Sequence, residues 1–404
     1  MAWRLAWRGL YRNRRRTFVV LAAVTVGISG CCLAIATNSG MAMQMVKTAI
    51  ATELGHVQIH APGFDADPQL RVLLEDGGAL AARAVEVSAE VRAWALRVRG
   101  QGLMNSPRAS VGIRVLAVQP DAESRVSNFE SSMTDGEWFG SRPSRVVVGS
   151  GVARRLRADV GDKVVLSVQD LAGDLTGQAF RIGGVFRTSS KAANDSTVLV
   201  RLDEAQQLFG LGGGVSELIL ISEDSQAVDS LAETLSLALG DTAEVRSWKQ
   251  LQPLLVYMVD AMDQMAWVIY AGVFIAMGFG IANVLLMSIS ERTREIGVMM
   301  AVGMKPRRVV LSIVLESMIV TGLGLALGLG VGFFGVWLLR GGIDLSLWAD
   351  GLESLGVGAV IVPVIRVNDV VAPLVMALLA ALLASTWPAV RAAGLRPGEA
   401  LRRV

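Results

Sequence analysis

Glu316 is the residue most out of place in this 404-residue sequence, a carboxylate near the start of the apolar run Val309–Leu339. A charge inside a membrane-spanning segment is costly and is kept for a partner or a task. It stands about nine residues, roughly 13 Å of helix, in from the charged end. Its candidate partners are an arginine of an adjoining helix, the basic N-terminal segment included, or Asn283 of the preceding apolar run. Both a structural pin and a conformational latch fit that placement. Other candidate chemistry is sparse. No G-x-x-x-x-G-K-[ST] loop exists, so a nucleotide-binding loop of the chain's own is excluded. Gly149-Ser150-Gly151 opens like a dinucleotide fingerprint, but Arg154 takes the place of the third glycine. His56 and His60, the only histidines, would share a strand face, yet no cysteine lies nearby to complete a metal set. No nucleophile with a base at recognisable spacing appears. The chain reads as no enzyme, with no catalytic residue, cofactor site or metal site of its own.

The elements that must position Glu316 are apolar helices. Hydrophobic residues make up 52% and charged residues 18% of the sequence, and mean hydropathy is +0.48, which places the chain in a membrane. A helix needs about 20 apolar residues to cross a hydrocarbon core of about 30 Å. Four stretches qualify, at 17–37, 264–289, 309–340 and 370–391. The third is long enough that it must tilt, bend or protrude. Its Gly324, Gly328 and Gly332, spaced by four, form a ridge that permits close helix contact. Before the first span, residues 1–16 carry Trp3, Trp7, Leu10 and Tyr11 at helical spacing among six arginines, the pattern of an interfacial amphipathic helix on anionic lipid. Ile28-Ser29-Gly30-Cys31 has the shape of a lipoprotein cleavage site, but apolar character continues through Ala36, which favours an uncleaved span. Adjacent Cys31 and Cys32 cannot staple distant loops.

Residues 38–263 differ in kind. Short alternating runs such as VQIH, RVVVG, KVVLSVQD and ELILIS mix with helical patterns at VARRLRA, DEAQQLF and SQAVDSLAETLSLALG, predicting an α+β domain of one or two lobes, with stalk helices, between the first and second spans. Residues 341–369 are predicted as a second external loop, a strand pair or lip with four acidic residues. Basic residues number six in segment 1–16, five in the elbow 290–308 and four in the tail from Arg391. By the positive-inside rule those three segments are cytoplasmic, as are both termini, and the α+β domain lies outside.

Asn283–Leu286, Ser290–Gly297 (SERTREIG), Ala301–Met304 and the glutamate of the third span resemble the signature of the FtsX/MacB/LolE permeases of ABC transporters. The tail, Pro388–Ala393 and Pro397–Arg402, is similar to that family's closing motif. Residues 146–168, 180–187 and 202–211 resemble the lipoprotein-releasing LolC/LolE branch. The resemblance implies a bacterial inner-membrane permease that pairs with a second copy or paralogue and docks two separate ATPase subunits, which carry ATP and Mg. It makes the elbow a coupling helix, with Glu291, Arg292, Arg294, Glu295, Ile296, Gly297 and Met300 at the ATPase contact. It implies mechanotransmission: extraction of lipoproteins from the outer leaflet for a periplasmic carrier, with Met41, Met43 and Met45 as candidate lipid contacts. Two alternatives stand, export of a peptide or small molecule with an adaptor, and regulation of a cell-wall enzyme. The efflux branch typically fuses its ATPase to the permease N-terminus, whereas Met1 here leads straight into the interfacial helix. Membrane lipid is an expected partner and nucleic acid is not.

Overall fold

The computed structural model describes residues 14–64, 72–140, 142–224 and 227–394. The interfacial helix expected over 1–16 falls outside these, save for residues 14–16, and so do the last ten residues of the tail with the second half of the closing motif. The chain divides into two compact units. One gathers the residues up to Ala42, Val259–Ile343 and those from Ile361 on; the other holds Met43–Met258 and Asp344–Val360.

Four long helices make the first unit: α1 (Arg14–Ala49), α2 (Pro253–Glu291), α4 (Pro306–Leu338) and α5 (Val367–Ala393), with the short α3 (Thr293–Ala301) between α2 and α4. Each of the four contains a stretch long and apolar enough to cross a membrane. They are helices because in hydrocarbon every backbone N–H and C=O must be satisfied within the segment. α2 has 39 residues, about 58 Å at 1.5 Å each, well beyond the ~30 Å it needs to cross. The helical stretch that leads into α2 is broken at Gln252, and Pro253 begins α2 at a position where its missing N–H costs nothing.

The glycine ridge of α4 packs against α1. A Cβ placed on Gly324 would meet Val24 Cβ at 2.8 Å, one on Gly328 would meet Ile28 Cβ at 2.8 Å, and one on Gly332 would meet Cys32 Cβ at 2.9 Å. Rows spaced by four on both helices therefore interlock, and only glycine permits that approach. Val24, Ile28, Cys31 and Ile35 form the heart of the bundle with Ala266, Tyr270, Phe274, Leu325 and Ala377.

The second unit is built on one ten-stranded sheet. Its strands are β1 (Val57–His60), β2 (Val91–Asn105), β3 (Ser110–Val118), β4 (Met133–Gly136), β5 (Arg145–Gly149), β6 (Lys163–Gln169), β7 (Leu175–Phe186), β8 (Thr197–Arg201), β9 (Glu217–Ser222) and β10 (Glu244–Ser247). β2, β3, β8, β5, β7 and β6 pair in turn and β6 returns to β2, so six strands close a ring; β9, β1 and β10 extend from the other half of β2 as a wing. Closure leaves no edge within the ring, so the sheet ends only at β10 and β4. β2 can serve both parts because it is 15 residues long, pairing with β9 through Val91–Arg97 and with β6 through Gly102–Asn105. Gly100 lies between the two pairings, and a Cβ there would sit 2.4 Å from Phe209 Cζ. Residues 344–360 hold a short helix, Ala349–Ser354, whose Glu353 meets Arg187 at 2.8 Å. The expected strand pair is present as Ile343–Asp344 with Val360–Ile361, and the residues between the two strands form helical turns.

One charged group lies at the centre of this unit. Arg97 is fully buried on β2 directly opposite Glu217 of β9, and its Nε donates to Glu123 Oε2 at 2.9 Å. Replacing it by alanine would strand the buried Glu123 carboxylate, while Glu217 keeps Arg99 at 2.7 Å, a change that costs about 3–5 kcal/mol for a broken buried pair. Urea unfolding of the detergent-solubilised chain should show Arg97→Ala losing that much from the domain's transition. A loss under 1 kcal/mol would show the pair to be dispensable.

Candidate functional site

The elbow begins where α2 stops. Arg292 leaves the helical region (φ −104°, ψ 11°), α3 follows for nine residues, and Gly303 takes φ +96°, a conformation that favours glycine. Lys305 then caps α4, with Pro306 in its first turn. Nine residues make too short a helix to persist unaided. Packing holds it, because Ile296 and Gly297 are buried and Ile296 joins Val309 of α4 and Ala392 of α5 in a small apolar cluster with Met299, Met300 and Met304 at its margin.

The seven residues assigned to ATPase contact divide by face. Glu291 is exposed at the end of α2, and on α3 the exposed Arg294 and Glu295 stand four and three residues before the exposed Val298, on one face of that helix. Ile296 and Gly297 point inward, and Met300 is half-buried. Arg292 turns away from the exposed face. Its Nη1 lies 3.2 Å from Glu316 Oε2 and 3.4 Å from Oε1, with both side chains mostly buried. Among the described residues the partner of Glu316 is therefore an arginine, supplied by the elbow itself, while Asn283 is exposed on α2. Glu316 also borders a small cavity of about 40 Å³ with Thr17, Ser288 and Ser317.

A second polar cluster ties the opposite end of the bundle. Arg366 reaches Asp263 of α2, Nη2 to Oδ1 at 2.6 Å, while its backbone N–H donates to Asp369 Oδ2 at 3.0 Å. The Ser39 hydroxyl of α1 donates to the same Asp369 oxygen at 2.9 Å, and Asn38 Nδ2 donates to the Met262 carbonyl. Three helices are thus joined at one level. The signal for it in the sequence was a lone arginine in an acidic loop; what hid it was that Asp263 and Ser39 lie far away along the chain.

A third cluster sits in the external domain. The last turns of the first helix widen to a π-type turn over Ile50–Leu54, and turns of that kind recur at functional positions. Carbonyls at a helix C-terminus lack intrahelical partners and carry partial negative charge. Here Arg99 Nη2 donates to the Glu53 carbonyl at 2.6 Å and Arg97 Nη1 to the same oxygen at 3.3 Å. The Glu53 carboxylate meets Arg114 Nη2 at 2.7 Å. Burial would push this carboxyl up, but Arg114 and its hydrogen bond outweigh that and hold it below the usual carboxylate range. Glu53, Arg99 and Arg114 line one side of a cleft of about 570 Å³, and Arg97 lies buried behind them. Arg97 and Arg99, two apart on a strand, face the same side, which is the pattern that could have announced them.

The remaining candidates are structural. His60 stacks on Phe64 with ring centroids 4.2 Å apart and hydrogen-bonds Gln58 and the Ser216 carbonyl, while His56 Nδ1 accepts from the Ser222 N–H. Among the described residues no His/Cys/Asp/Glu group could hold a metal. Gly149 and Gly151 let helix Lys191–Ser196 approach, as a Cβ on either would strike Asn194 or Asp195. Of the three methionines, Met41 is half-buried, Met43 is exposed and Met45 is buried against its own domain.

Comparison with known proteins gives two family matches. The FtsX-like permease C-terminal family matches residues 267–397, and the MacB-like periplasmic core domain matches residues 17–237. The lipoprotein-releasing system transmembrane protein LolC of Neisseria meningitidis is 23% identical over 74% of this chain and 74% of its own length. The macrolide export ATP-binding/permease protein MacB of Hyphomonas neptunium is 25% identical over 83% of this chain, which spans about half (53%) of that relative. Among solved structures, the periplasmic region of MacB from Actinobacillus actinomycetemcomitans aligns at TM-score 0.35 and 13% identity, covering 52% of this chain and 97% of that one.

The Arg292–Glu316 pair separates pin from latch. Glu316→Ala, which removes the carboxylate that Arg292 meets, should lower stability by about 3–5 kcal/mol, and Arg292→Met with Glu316→Leu should restore most of it. Thermal unfolding in detergent reads the stability. A double variant that is stable yet inactive identifies a latch, and one that is stable and active identifies a pin.

Proposed function

Since the chain belongs to the FtsX-like permeases of ABC transporters that carry a MacB-like periplasmic core domain, we propose that it is a permease subunit working by mechanotransmission and that its cargo is lipoprotein. The observation that carries the first part is the face Arg294, Glu295 and Val298, exposed on α3, whose other face is fixed to α4 and α5, with Glu291 exposed just before it. A short element held rigidly on one side and open on the other is suited to receive a push and pass it to the spans it joins. The push would come from two separate ATPase subunits on the cytoplasmic side. Their ATP-driven closure would draw together the elbows of this chain and a second permease copy or paralogue. α1 and α2 each contribute to both compact units without a break, which makes them the natural carriers of that motion. The contacts at Glu53 bind the end of that first helical segment to the strands of its domain.

Four apolar helices and the family relationship make this a multi-pass protein of the bacterial inner membrane. The distribution of arginine supports both termini inside and the α+β domain in the periplasm. Lipoprotein as cargo, taken from the outer leaflet and handed to a periplasmic carrier, is supported by the similarity to LolC over three quarters of both chains. A second reading is export of a small molecule with an adaptor, which the MacB relative and the pyoverdine export protein PvdT of Pseudomonas fluorescens favour.

Reconstitution with the co-purifying ATPase tests the proposal. Glu295→Lys should leave the protease-resistant external domain intact but abolish the coupling of ATP hydrolysis to release of a triacylated lipoprotein, by at least tenfold. Normal release by the variant would remove the elbow from the mechanism, and small-molecule efflux without release would favour the second reading. Topology is checked by thiol labelling at two exposed positions. Leu237→Cys (parent residue 80% exposed) should react from the periplasm and Val302→Cys (84%) only from the cytoplasm; the opposite pattern inverts the protein.

A further inference from the structure

α2 and α5 leave a narrow apolar groove along their outer side. Its volume is about 510 Å³. Gly278 and Ala282 of α2 and Ala380 and Ala384 of α5 make the floor, and Phe279 and Leu383, 75% and 72% exposed, stand as its walls. The floor is deep because these side chains are small: a Cβ added to Gly278 would reach ordinary contact with Ala384 at 3.8 Å.

Length, lining and charge together say what fits. The groove runs from Ala271 to Ala282 on one helix and from Met376 to Trp387 on the other, in each case about 16 Å at 1.5 Å per residue. An acyl chain that reaches through half of a hydrocarbon core of about 30 Å has nearly the same length, about 15 Å. The lining is apolar throughout and the floor is glycine and alanine, a shape and chemistry that suit a single polymethylene chain. At one end Trp387 closes the groove, an aromatic residue of the type that marks the headgroup level. One turn further, Arg391 is exposed and its guanidinium lies over the Trp387 ring, 5.7 Å from the centroid. Among the described residues no carboxylate forms an ion pair with it.

We propose that this groove is a binding site for one anionic glycerophospholipid, with an acyl chain lying along α2 and α5 and the phosphate meeting Arg391. The lipid belongs to the leaflet on the Arg391 side of the bilayer. Cation–π contact with Trp387 holds the guanidinium at the mouth, so the charge is pre-placed where a phosphate must sit when its chain fills the groove. The site is independent of the transport reading, because neither the cargo nor the ATPase enters the argument.

Native mass spectrometry of the full chain in mild detergent tests this, with phosphatidylglycerol and phosphatidylcholine of the same acyl chains as probes. The parent should retain one phosphatidylglycerol through activation that strips phosphatidylcholine. Arg391→Gln should lower phosphatidylglycerol retention at least tenfold and leave phosphatidylcholine unchanged, and Arg391→Lys should recover part of it. Gly278→Leu, or Ala384→Met should that variant fail to fold, should abolish retention of both lipids by filling the floor. Equal retention of the two lipids by the parent, or unchanged retention in Arg391→Gln, would reduce the groove to ordinary lipid-facing surface and overturn the proposal. A shift from dimer to monomer in Gly278→Leu would overturn it too, assigning the groove to a second copy of the chain.

Discussion

Lipid tails are as apolar as leucine, so the bilayer supplies no hydrophobic reason for one span to prefer another. In this bundle that choice falls to close packing and to a few polar contacts. Gly324, Gly328 and Gly332 bring α4 onto Val24, Ile28 and Cys32 of α1 at a distance that no other residue type allows. Arg292–Glu316 ties the end of α2 to α4, and Arg366 with Asp263, Asp369 and Ser39 ties α1, α2 and α5 at the other end. The tight contact in the middle fixes which helices are neighbours, and the charged contacts at the two ends fix their rotation.

The same economy governs the external domain, where charge is buried only against charge. Arg97 has Glu123 and Glu217 at hand, Arg99 has Glu217 and the Glu53 carbonyl, and Arg114 has the Glu53 carboxylate. Buried pairs contribute little net stability relative to apolar residues of the same shape, yet breaking one is costly, so they act chiefly to fix register. Here the register in question is that of a helix end on a sheet. Arginine suits the task, since its planar fork can serve two acceptors at once. A permease whose proposed work is to pass motion between elements needs such fixed attachments, because a compliant one would absorb the motion.

The elbow shows how a short helix acquires two roles. Its inward face, Ile296 and Gly297, belongs to the bundle, and its outward stripe does not. Arg292 stands at the boundary, part of the charged motif by sequence and part of the bundle by position. That assignment places the intramembrane carboxylate one contact away from the proposed docking surface, so the two features read separately in the sequence form one arrangement.

The sequence by itself determined the four spans, the α+β insertion, most strand positions and the glycine ridge, because each of these follows from local periodicity or composition. Strands such as Glu217–Ser222 and Arg145–Gly149 are apolar runs bounded by turn residues, and a helix through hydrocarbon has no alternative. Short polar elements such as Met133–Gly136 and Glu244–Ser247 were not legible, since their pairing, and not their propensity, makes them strands. Only the tertiary structure decided that six strands close a ring, that Glu316 pairs with Arg292, and that Arg366 reaches back 103 residues to Asp263. Contacts of that kind depend on where two distant backbones come to lie, which one-dimensional spacing does not encode.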